Sequence, residues 1–122
     1  MKKIFATLVI SMFVSSAISN ANEVVNQSSL PETTTEECVL ANSNDIYEVK
    51  CYAGEECAVL VSGDGDTDLD LYIYDQYGNL VAYDDDTTDT MYASWKAKRS
   101  GIYKIKIVNR GSVRNYYTMW TY

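Results

Sequence analysis

Between Gly63 and Asp86 the chain reads GDGDTDLDLYIYDQYGNLVAYDDD, and this stretch leaves little choice of local structure. Leu69, Leu71 and Ile73 alternate with Asp70, Tyr72 and Tyr74, a period of two that belongs to a strand with one face on a core. Tyr77-Gly78-Asn79 supplies the turn. Leu80 to Tyr83 returns as a second strand, and the run Asp84-Asp85-Asp86 ends it by charge repulsion and low β propensity. The segment is therefore predicted to be a β-hairpin between acidic loops.

The same period recurs along the chain. Tyr47, Val49 and Cys51 share one phase, as do Cys57, Val59 and Val61; Met91, Ala93 and Trp95; Tyr103, Ile105 and Ile107; and Tyr117 with Met119. Each set is expected to face a core, with Gly54, Gly63 to Asp68, Gly78, Asp84 to Asp89, Ser100-Gly101 and Arg110-Gly111 as the turns between strands. Short strands at this spacing predict an all-β domain, a small antiparallel β-sandwich. No amphipathic helix and no internal repeat interrupts the pattern. From Asn22 to Asn44 the chain is rich in Asn, Ser, Thr and Glu, holds the single proline, Pro31, and shows no sustained period. That segment (22–44) is expected to be a polar leader, with the folded domain over 45–122.

Four phrases in order resemble the bacterial pre-peptidase C-terminal domain. They are Asn44 to Val49 with Ala53-Gly54-Glu55, Asp68 to Asp75 followed by Gly78 to Ala82, Ser100 to Ile105, and Asn115 to Met119. The resemblance spans Asp45 to Tyr122. It implies a jelly-roll-like β-sandwich of the kind carried by secreted peptidases and related to the collagen-binding domains of clostridial collagenases. It also implies binding without catalysis. Collagenase relatives place calcium ligands in an acidic segment before the first strand; here only Glu32, Glu36 and Glu37 lie near that position, without the Glu-Pro-Asn-Asp run.

Lys2 and Lys3 precede an apolar run from Ile4 to Ile18, and Ser19-Asn20-Ala21 offers the small residues that a signal peptidase reads. Residues 1–21 are accordingly expected to be a secretory signal peptide, and the product secreted or periplasmic. The apolar run is too short for a good membrane span. The formal charge is −7, and loss of Lys2 and Lys3 would make it more negative still. Such a surface repels nucleic acid and anionic lipid.

The sequence contains no histidine. That removes the commonest general base, the Ser-His and Cys-His nucleophile pairs, and the usual zinc ligand, so an enzyme is not expected. The three cysteines imply one disulfide and one remaining thiol in an exported chain. Cys51 and Cys57 share a phase across a short turn and are the first candidates for the bond; Cys38 bonding either of them is the rival, and a buried, unbonded pair is the remaining alternative.

Two surface features carry the functional expectations. Asp64, Asp66, Asp68 and Asp70 at one end of the hairpin, with Asp84, Asp85 and Asp86 at the other, are hard oxygen ligands suited to Ca²⁺, although their spacing is not that of an EF-hand. The same residues also cap turns by accepting backbone N–H bonds. Tyr72, Tyr74, Tyr116, Trp120 and Tyr122 lie out of phase with the core and would form an aromatic ligand-binding strip if their strands share a sheet. Tyrosine also serves simply as a good strand former. Together these features point to a secreted, non-catalytic binding module for an extracellular or cell-envelope polymer, protein or polysaccharide. The alternative is an accessory protein that stabilises, escorts or inhibits a separately encoded secreted peptidase.

Overall fold

The computed structural model describes residues 33–122; the expected signal peptide and the first part of the polar leader lie outside them. Eight strands follow one another: β1 (Thr33–Val39), β2 (Asn44–Cys51), β3 (Glu56–Ser62), β4 (Leu69–Tyr74), β5 (Leu80–Asp84), β6 (Thr90–Lys96), β7 (Gly101–Asn109) and β8 (Asn115–Thr121). They form two four-stranded antiparallel sheets in the orders β1-β8-β3-β6 and β2-β7-β4-β5. This is the strand order of a jelly roll, two Greek keys closed face to face.

The core forms where the period of two places it. Every residue of the sets led by Tyr47, Cys57, Leu69, Met91, Tyr103 and Tyr117 is buried except Val49, which packs partly buried against them. The expected hairpin is β4 with β5, with Gly78 in the left-handed region at φ 83°. A Cβ there would meet no neighbour, but the positive φ is itself strained for a residue with a side chain, which is why the turn uses glycine.

β1 lies inside the stretch read as polar leader, and Asn44 from the same stretch opens β2. The three β-branched residues Thr33, Thr34 and Thr35 suit a strand. Val39 is fully buried, and β1 pairs along its whole length with β8. One apolar residue in seven left no period to read. The partner strand supplies the reason to fold.

Two buried polar side chains of the sandwich, Tyr117 and Asp70, are tied in. Tyr117 donates to Asp45 Oδ2 at 2.8 Å and shares a hydroxyl–hydroxyl bond with Tyr47, which joins the two sheets through the core. Burial, then the bonds to Tyr47 and Asp45, push the Tyr117 hydroxyl far above its ordinary range. Asp70, expected on the outward side of β4, is buried at 6% exposure, because Arg110 Nε reaches it at 2.6 Å and covers it.

Candidate functional site

The outer face of the β1-β8-β3-β6 sheet carries the exposed rings of Tyr92 and Tyr116 with the half-buried Trp120 and Tyr122, while the exposed Tyr52, Tyr77 and Tyr83 lie elsewhere. Cross-strand register aligns Thr34, Trp120, Leu60 and Tyr92 in one row across all four strands. Beside it, Tyr122 exchanges backbone bonds with Ala58. On the other flank lies a row of short polar side chains, Glu36, Thr118, Ser62 and Thr90, and beyond it Cys38 pairs with Tyr116. Tyr92 and Tyr116 are 55% and 56% exposed, an unusual degree for rings of this size in mid-strand. A shallow depression of about 540 Å³ runs over this face, bounded by Tyr116 and Trp120 and including Thr118, Ser62, Glu36 and Cys38.

Of the expected strip, Tyr116, Trp120 and Tyr122 belong to this face. Tyr72 and Tyr74 do not, because β4 pairs with β7 and β5 in the opposite sheet. Their outward phase was legible; their sheet was not. Alternation reports which side of a strand a residue takes, whereas the jelly-roll crossovers decide which sheet receives the strand. The Tyr72 hydroxyl is also engaged, donating to Asp70 at 3.3 Å and accepting from Arg110 Nη2 at 3.2 Å. Sequence reasoning missed Tyr92 and Leu60. Tyr92 sits between the inward pair Met91 and Ala93, so its phase was the available signal.

Three of the seven aspartates act as caps. Asp64 accepts from Asp66 N and Tyr116 N, Asp84 from Asp86 N and Tyr92 N, and Asp86 from Thr88 N and Oγ1. Bonds from Thr88 hold the Asp86 carboxyl below the usual range. Among the described residues, no three of the seven aspartates considered for Ca²⁺ bring carboxylate oxygens within 4.8 Å of one another. The turns use carboxylate oxygens of Asp64, Asp84 and Asp86 as backbone acceptors, and Arg110 and Tyr72 engage Asp70. Gly63 is where this network needs close approach, since a Cβ there would strike the side chains of Asp89 and Asn115.

Cys51 and Cys57 are not joined by a disulfide. They lie in β2 and β3, which belong to different sheets rather than to one hairpin, so they face each other across the end of the core instead of along a ladder. Cys38 is half-buried on the outer face.

A second concavity, of about 740 Å³, opens between the β4–β5 turn and the β6–β7 connection. Tyr77, Trp95 and Tyr103 give it aromatic walls and Lys96, Lys98 and Arg99 a basic rim. Among the described residues, the buried indole N–H of Trp95 has no hydrogen-bond partner. The Arg99 guanidinium lies 6.0 Å from the Tyr77 ring centre.

No protein-family model and no curated protein sequence matches the chain. Solved structures do. The pre-peptidase C-terminal domain of a collagenase from Bacillus anthracis superposes with a TM-score of 0.64 at 14% identity, covering 74% of this chain and 88% of that one. PliG of Aeromonas hydrophila, a periplasmic inhibitor of g-type lysozyme, superposes with a TM-score of 0.53 at 11% identity, covering 73% and 82%. At such identities the likeness is one of fold: this chain shares the sandwich of two small non-catalytic domains.

Proposed function

We propose that the protein is an exported, non-catalytic binding module that holds a protein partner on the outer face of the β1-β8-β3-β6 sheet. The observation that carries this reading is the aligned row Trp120, Leu60 and Tyr92, flanked by Tyr116 and Tyr122 on one continuous face. Rigid aromatic rings on a flat sheet bury large area at little entropic cost and are the usual anchors of protein recognition. Thr118 and Ser62 offer hydroxyls between the rings, and the exposed Glu36 carboxylate borders them. The face therefore suits an extended segment that carries a basic side chain among apolar ones. Both structural neighbours support a protein partner over a polysaccharide: one is a domain of a collagenase, the other an inhibitor of a lysozyme.

Retention on immobilised fibrillar collagen and g-type lysozyme, with peptidoglycan and cellulose alongside, tests the reading. Binding to a protein matrix that Tyr92→Ala with Trp120→Ala removes supports it. Retention on a polysaccharide alone contradicts it. The likeness to PliG favours a second reading, a protein inhibitor, which a lysozyme or collagenase rate assay with added protein separates from simple attachment.

A further inference from the structure

Two buried thiols and a carboxylate converge at one end of the sandwich. Cys51 closes β2 and Cys57 lies one residue into β3, exposed to only 1% and 7%. Their sulfurs and one carboxylate oxygen of Glu55 all lie within 4.8 Å of one another. The connection between the strands is held firmly. Tyr52 N donates to Glu55 Oε2 at 3.0 Å, Glu55 N to Tyr52 O at 2.9 Å, and Ala53 N to Ser100 Oγ at 2.8 Å. Gly54 N and Ala97 N then pair the loop with the opposite strand end, each at 2.8 Å. Glu55 is consequently presented over the two sulfurs by backbone that is already fixed. Its exposed side leaves a way in from solvent.

We infer that Cys51, Cys57 and Glu55 form a binding site for a thiophilic divalent cation of the zinc class. This inference is independent of the function proposed for the aromatic face. Zinc takes thiolate sulfur at about 2.3 Å and carboxylate oxygen at about 2.0–2.2 Å in tetrahedral geometry, which sets ligand atoms roughly 3.5–3.8 Å apart. Those separations fall inside the 4.8 Å that the three ligand atoms already satisfy. Two soft thiolates select against Ca²⁺ and Mg²⁺, and the three protein ligands leave one position for water. Binding converts both thiols to thiolates and releases two protons for each ion, so affinity falls as the pH is lowered. Trp95 stands opposite Cys57 in the sheet and adds an optical reporter.

The test uses the reduced, metal-free protein carrying Cys38→Ser, which removes the third thiol. Titration with Co²⁺ is expected to give a thiolate-to-metal charge-transfer band that saturates at one equivalent and is displaced by Zn²⁺, with two protons released. Cys51→Ser and Cys57→Ser should each abolish the band. Should either variant fail to fold, Glu55→Gln keeps both sulfurs and alters only an exposed residue: it should preserve the band and weaken binding roughly tenfold or more. Absence of the band in folded protein, or an unchanged affinity in Glu55→Gln, overturns the assignment. So does isolation from the cell envelope with Cys51 and Cys57 joined as a disulfide, read as a loss of two mass units.

Discussion

At the scale of single residues, one buried asparagine and the aspartates have roles that composition alone disguises as mere polarity. Asn115 is fully buried; its Nδ2 donates to Asp89 at 3.0 Å and to Thr67 Oγ1 at 3.1 Å, and its Oδ1 accepts from Asp64 N at 3.1 Å. Asn115→Ala leaves those loop groups without their bonds and should cost about 2 kcal/mol, read from urea unfolding. Asp68 is the opposite case. Burial, then the charges of Asp70 and Asp86, raise its carboxyl above the ordinary range, and its Oδ1 is buried without a partner among the described residues. A carboxyl with a raised folded pKa favours the folded state fully only below its unfolded pKa and loses that contribution as pH rises through the folded value. Asp68→Asn should therefore raise the melting temperature at pH 7. The gain should shrink as the pH falls below about 4, where both states carry the proton.

At the scale of elements, legibility followed burial. β4 and β5 could be read because Leu69, Leu71 and Ile73 alternate strictly and Gly78 marks the turn; Gly78→Ala, with φ at 83°, should cost about 1–2 kcal/mol in thermal or urea unfolding. β1 could not be read, since its worth lies in pairing with β8 and only Val39 is fully buried. The acidic loops offered two meanings from one composition. Spacing could not separate an ion cage from a set of caps, because both need short side chains with oxygen acceptors near a turn. The hydrogen bonds of Asp64, Asp84 and Asp86 show these three capping turns. Thermal scans in millimolar calcium and in chelator should superimpose. A clear rise with calcium would show that these carboxylates hold an ion.

At the scale of the whole molecule, the period of two was enough to predict a sandwich and its core, while the distribution of strands between sheets decided the candidate site. The outward phases of Tyr72 and Trp120 are alike in the sequence, yet the crossovers place them on opposite faces. The crossovers also bring Leu60 and Tyr92 beside Trp120, a neighbourhood that no local pattern contains. Cys51 and Cys57 follow the same logic, meeting end-on between sheets rather than within one. The fold shared with a collagenase domain and a lysozyme inhibitor, at 14% and 11% identity, identifies an architecture on which binding surfaces differ, so the aromatic face has to be tested directly. The most direct measurement is retention of Tyr92→Ala/Trp120→Ala on the protein matrix that retains the unaltered protein, with thermal unfolding in parallel. Loss of these two anchors, the exposed Tyr92 and the half-buried Trp120, should weaken binding by about 2 kcal/mol or more while the melting curve keeps its cooperativity. A variant that folds and is retained as well as the unaltered protein would contradict the assignment of this face as the binding surface.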